Sequence, residues 1–272
     1  MFTRCHRPSV ILPLLLIAAT GMYAQADGPD SELSPSEQAM SEVDAFLTAY
    51  RAGATDEELL SRMSYVREWS ITLRGVGDQR AVEPLAKLIT DTTHSEQFTA
   101  LAIYLLGQLR GGSAVPAIKW YLHDLSKPHL RLQAAAALCV LGEAETGLPV
   151  LEGYAAARDE ELRRSTVNTI SATLLENRHV FEFPDAKQES LVTAFFLRAI
   201  RSSYGRMLIP SIAYLLQKGK QNQEIALQRA EGVLRPGSKV VLTRTDRLVI
   251  LGLLSKYGGD RGEEIEWRYD QR

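Results

Sequence analysis

His123 and His129 lie on either side of a short polar stretch, KWYLHDLSKPHLR, with Asp124 between them. Two imidazoles and a carboxylate are donor types that hold a transition metal. This stretch, which joins two apolar runs, is therefore one place where chemistry could sit. The competing reading is ordinary: histidines at helix ends are commonly solvated or bonded to nearby carbonyls. Cys139 is the other reactive residue type. A catalytic thiol needs a neighbouring base and an electropositive setting, whereas Cys139 follows Ala134, Ala135, Ala136, Ala137 and Leu138 and reads as a buried structural thiol. No G-x-S-x-G, phosphate loop or zinc signature occurs. The sequence thus assigns no catalytic residue, no metal ligand set and no cofactor. An enzyme or metal-dependent module built on the His123–His129 turn or on residues 176–186 is the alternative.

The elements that must position these residues repeat. Ala81-Val82-Glu83-Pro84-Leu85, Ala114-Val115-Pro116-Ala117-Ile118 and Gly147-Leu148-Pro149-Val150-Leu151 place Val82, Val115 and Leu148 at spacings of 33 residues, and Ile209-Pro210-Ser211-Ile212 is a fourth copy. Each opens an apolar run with proline in its first turn, where a missing N–H costs nothing. Second runs begin at Phe98, Leu130, Leu162 and Val192, with Leu106, Leu138, Ile170 and Ile200 in one column. Their apolar residues recur at helical spacing and none alternates like a strand. The reading is an all-α chain whose unit is two antiparallel helices stacked on the next pair. Small residues such as Ala134, Ala135 and Ala137 fit a close helix crossing, Gly142 lets the chain leave the helix in a left-handed conformation, and Pro149 is expected to start the next helix.

The segment LRLQAAAALCVLG followed by GLPVL resembles the bacterial HEAT-like repeats also found in bilin-lyase proteins, with Leu130, Arg131, Ala134, Ala135, Ala137, Leu138, Leu141 and Gly142 on the pattern and Gln133 and Cys139 off it. The resemblance implies an α-solenoid that binds through its extended surface. It covers 64–175 well and 188–218 more faintly. Bilin-lyase chemistry does not carry over to an exported chain. The metal-dependent hydroxylases of HEAT-like build rest on His-Glu pairs, and this sequence has none.

The expected organisation is a signal peptide over 1–26, a leader over 27–33 and one α-solenoid over 34–272. Within the latter, 34–63 form capping helices, 64–175 the best repeats, 176–186 an irregular break replacing a first helix, and 187–260 the C-terminal repeats and cap. Ser34, with Pro35 and Glu37, reads as a capping box, and Thr55 as the next N-cap. RPGSKVVLT is expected to be extended, and WRYDQR to fray.

By the resemblance, second helices line a concave side. Two outward columns follow, Ala100, Leu132, Arg164, Ala194 and Tyr104, Ala136, Asn168, Arg198, giving a groove apolar at one end and basic at the other. Tyr104, Leu132, Arg164, Asn168 and Arg198 are thus candidate partner-binding residues. Lys87, Trp120 and Tyr214 form a further outward position, and Trp120 is a second candidate because tryptophan is enriched at binding hot spots. Arg131 and Arg163 share a repeat position and read as a structural ladder toward acids.

Residues 1–26 have a basic start at Arg4 and Arg7, an apolar stretch from Val10 to Ala19 and a small-x-small site at Ala24-Gln25-Ala26. Cleavage after Ala26 removes two arginines and no acid, taking the formal charge from −2 to −4. That balance argues against a nucleic-acid partner. Only Cys139 then remains, so no internal disulfide can form. The expectation is an exported, periplasmic, non-enzymatic scaffold or adaptor, not integral to the membrane once cleaved, that binds a protein or peptide of the cell envelope.

Overall fold

A computed structural model describes residues 35–73, 79–175, 183, 185–201 and 205–270. The expected signal peptide and leader, the Ser34 cap and most of 176–186 lie outside the described residues. All regular structure that is described is helical. The helices are α1 (Pro35–Arg51), α2 (Asp56–Leu73), α3 (Val82–Thr90), α4 (Glu96–Gln108), α5 (Val115–Trp120), α6 (Pro128–Val140), α7 (Ala144–Ala155), α8 (Glu160–Leu174), α9 (Ala186–Arg201), α10 (Leu208–Leu215), α11 (Gly219–Leu234), α12 (Arg244–Tyr257) and α13 (Gly259–Asp270). No helix among the described residues is long and apolar enough to cross a membrane.

Short polar side chains start several of these helices by accepting one of the amide protons that a first turn leaves unbonded. Thr55 accepts from Glu58 at 3.4 Å, Ser95 from Phe98 at 3.2 Å, and Asp159 from Leu162 at 2.7 Å. Thr243 and Asp246 close a reciprocal capping box. Helix α6 ends as its glycine predicts. Gly142 has φ +86°, and the amides of Glu143 and Gly142 reach back to the carbonyls of Leu138 and Cys139 at 2.8 and 3.4 Å. This is the Schellman arrangement. Helix α4 ends the same way on Arg110 (φ +52°), with the Gly111 amide on the Leu106 carbonyl at 2.9 Å.

Pro149 does not start its helix. Helix α7 begins at Ala144, whose amide donates to the buried side-chain oxygen of Gln188 from α9 at 2.8 Å. Ahead of Pro84, Pro116 and Pro210 the chain makes a 3-10 turn (Gln79–Ala81, Gly112–Ala114, Gly205–Met207). Ahead of Pro149 the same stretch is drawn into α-helix, because Gln188 supplies an acceptor further upstream.

Packing follows parity. Helix α4 packs on α2 and α6, α6 on α8, α8 on α10, and α10 on α12. On the other side α3 packs on α5, α7 on α9, and α11 on α13. This corrects the sequence reading at one place. The repeat columns put α9 with the second helices and make α10 a first helix, with a first helix missing between α8 and α9. The contacts instead set α9 against α7 and α10 against α8, so α9 takes the first-helix row and α10 the second. Ion pairs give the direction: Glu145 and Glu152 of α7 meet Lys187 and Arg198 of α9, at 2.7 Å for the first pair and 3.0 Å for Arg198 Nε. Glu224 and Glu231 of α11 meet Arg261 and Arg268 of α13. Residue numbers ascend together in both cases, so these neighbouring odd-numbered helices run parallel.

Two further expectations change. RPGSKVVLT, between α11 and α12, is turns and bends rather than an extended strand. WRYDQR does not fray over its described part, because Trp267–Asp270 are the last turn of α13, Tyr269 is buried, and Arg268 bonds Glu231 at 2.9 Å.

Candidate functional site

Helix α6 explains why the groove expected from the repeat columns is not an open surface. It packs on α4, α5, α7 and α8, and all four of its consecutive alanines are fully buried. Glycines of two neighbours approach it: a Cβ on Gly147 of α7 would meet the Ala135 carbonyl oxygen at 2.3 Å, and one on Gly107 of α4 would meet Ala137 at 3.3 Å. Backbones this close leave no room for a groove. The expected outward direction of Tyr104 and Leu132 is therefore corrected: they are 6% and 1% exposed. Ala136 is buried with them, and so is Tyr214, which lies against Phe196 with ring centroids 4.2 Å apart. Burial holds the Tyr214 phenol well above its usual range, the Thr193 hydroxyl pulling the other way.

Arg164, Asn168 and Arg198 are the polar half of the expected groove. Arg164 is exposed and Asn168 half-buried on α8. Arg198 is exposed too, but it sits on α9 and is tied to Glu152 of α7. The parity of α9 thus separates Arg198 from Arg164 and Asn168.

Trp120 is where the sequence placed it, outside, with 55% of its surface free. It is the last residue of α5, and its indole rests edge-on against Tyr121 at 4.9 Å between centroids. Tyr121 is buried and donates its hydroxyl to the Ile89 carbonyl of α3. The anchor under the indole is therefore fixed. Leu125 follows on the same turn and is 73% exposed. Asp124 shapes that turn by accepting from the Ser126 amide at 3.0 Å and hydroxyl at 2.6 Å. The Ser126 hydroxyl bond, more than any charge, holds the Asp124 carboxyl below its ordinary range. Lys119, beside Trp120, is engaged by Glu143 at 2.9 Å. The result is an aromatic and an aliphatic side chain displayed on a braced turn. Leu125 was not singled out in the sequence, although an isolated leucine inside a polar turn between Asp124 and Ser126 is itself a signal.

The remaining candidates have structural surroundings. His123 and His129 are both exposed, while the carboxylate between them is turned onto Ser126. Among the described residues no three His, Cys, Asp or Glu side chains come together as a metal site. Cys139 is fully buried and its thiol is pushed up to about 12 by burial, far from the thiolate that nucleophilic chemistry needs. Arg131 and Arg163 do form a repeated device, but toward carbonyls rather than mainly toward acids. Arg131 donates to the Leu122 carbonyl at 2.7 Å and lies over the Tyr154 ring at 5.5 Å. Arg163 donates to the Ala157 carbonyl at 2.7 Å and pairs with Glu160. Each guanidinium, in the first turn of one helix, satisfies the chain end of the helix before it.

No family model matches this chain. A search of curated proteins likewise finds no match.

Proposed function

We propose that this chain is an exported, non-enzymatic α-solenoid of HEAT-like repeats that binds a protein or peptide of the cell envelope through the turn between α5 and α6. The repeat spacing of 33 residues, the parity of helix contacts and the parallel direction of neighbouring odd-numbered helices support the solenoid. The basic, apolar and small-residue pattern of residues 1–26 supports export. One observation carries the binding reading: Trp120 is exposed yet braced by Tyr121, which is itself anchored to α3, with Leu125 exposed on the turn that follows. A preorganised aromatic with an aliphatic neighbour is the kind of group that dominates protein recognition.

The test is photocrosslinking in the native envelope with a reactive residue at position 120 and a control at 164. The expected result is one discrete protein captured at 120, lost by at least roughly tenfold when Trp120→Ser and Leu125→Ser are combined. Both side chains are exposed, so helicity should not change. Undiminished capture by the folded double variant overturns the assignment. Bound metal in the purified protein that disappears in a His123→Ala, His129→Ala variant would move the function to the histidine turn.

A further inference from the structure

Helices α12 and α13 form an antiparallel hairpin about Gly258. Helix α12 is covered by α10, α11 and α13, and α13 by α12 and α11. On α12 the side opposite Ile250 and Leu254 carries Leu248, 56% exposed, and on α13 the side opposite the buried Ile265 and Tyr269 carries Trp267, 69% exposed. Leu248 lies ten residues before Gly258 and Trp267 nine after it. At about 1.5 Å of rise per residue the two stand at nearly the same height on the hairpin.

Outside the ion pairs of Arg261 and Arg268, the exposed charges of this hairpin divide by helix. Arg244 and Lys256 of α12 and Glu263 and Asp270 of α13 are exposed, and no ion pair joins any of them to another described residue. Glu263 and Asp270 are seven residues apart, as are Glu145 and Glu152 of α7 and Glu224 and Glu231 of α11. Those earlier acid pairs are met by bases of the next odd-numbered helix.

We propose that the next helix for α13 is α12 of a second copy of this chain, in a two-fold dimer. A two-fold axis parallel to the hairpin lays each α12 antiparallel on the other copy's α13. Leu248 then meets Trp267, Arg244 meets Asp270 low on the hairpin, and Lys256 meets Glu263 near the turn. Every contact occurs twice, as an isologous interface requires. The dimer surface is distinct from the Trp120 turn, and its test does not depend on that reading.

The experiment is sedimentation equilibrium of the purified protein from micromolar to millimolar concentration, at low and high salt. A mass of twice the chain is expected, with dimerisation weakened by salt because the flanking pairs are exposed. Trp267→Glu, and separately Arg244→Asp, should each raise the dimer dissociation constant by at least about tenfold. Combining Arg244→Asp with Asp270→Arg should restore it, because the exchanged charges meet again across the axis. A monomer at every concentration overturns the proposal. So does a dimer indifferent to Trp267→Glu and to the charge reversal, or an assembly that grows without limit.

Discussion

A methyl group at position 147 has nowhere to go. Its nearest neighbour would be the Ala135 carbonyl oxygen at 2.3 Å, and the Cys139 sulfur would follow at 2.8 Å. Backbone cannot rotate aside as a side chain can, so Gly147→Ala is expected to cost about 1–3 kcal/mol, read as a lowered urea midpoint. Cys139→Ala should not rescue it, because the carbonyl is the closer obstacle. Cys139 has its own signature. Its thiol is raised from an ordinary 9.0 to about 12 by burial, so between those values the folded state holds a proton that the unfolded state releases. Stability contributed by the neutral thiol is complete below pH 9 and is lost as pH rises toward 12. Alkaline unfolding curves should therefore be flatter for Cys139→Ala than for the parent. Equal slopes would mean the thiol is not sealed in. The sequence made this thiol's burial legible, since four alanines and a leucine precede it. It did not reveal that Gly147, rather than Pro149, sets the approach of α7 to α6, because the contact is to a backbone oxygen twelve residues away.

At the scale of the element, ion pairs between parallel helices differ by burial. Glu152–Arg198 is open to water, with side chains 41% and 60% exposed. Exposed pairs are worth about 0–1 kcal/mol, and Glu152→Gln should stay within that range. Glu231 is only 13% exposed and accepts from Arg235 and Arg268. Glu231→Gln removes the negative charge shared by two guanidinium groups in a half-buried site and should cost more, about 1–2 kcal/mol. Measuring both variants by denaturant titration decides whether burial orders them this way. Helices themselves were plain in the sequence because apolar spacing and polar caps reinforce each other, as at Thr55 and in the Gly142 turn. The parity of α9 and α10 was not. Both rows share one apolar period, and Pro210 imitates the proline of a first helix, so row membership is decided by partners such as Gln188 and Arg198, which reach residues 44 and 46 positions earlier. The groove failed for a related reason. Outwardness was inferred from one helix at a time, and α6 has neighbours on so many sides that Leu132 and Ala136 have no solvent to face.

Across the whole molecule, contacts join helices near in sequence: α4 to α6, α6 to α8, α7 to α9, α11 to α13. In the proposed solenoid, stability is then a sum of local packing and neighbour interfaces, and a defect at one end need not be felt at the other. This can be separated from ordinary two-state behaviour by hydrogen exchange. Glu231→Gln loosens the attachment of α13 to α11, so amides in α13 should exchange faster. Those of α4 and α6, whose neighbours are unchanged, should keep their protection. Gly147→Ala should do the reverse, loosening α6 and α7 while α12 and α13 hold. The outcome that sinks the solenoid reading is uniform acceleration in both variants, in which every helix loses protection by the same factor. That pattern would mean the helices unfold only together, as in a single compact core. The stacked interfaces would then lack the independence that lets an extended array present the Trp120 turn and the α12–α13 hairpin as separate surfaces.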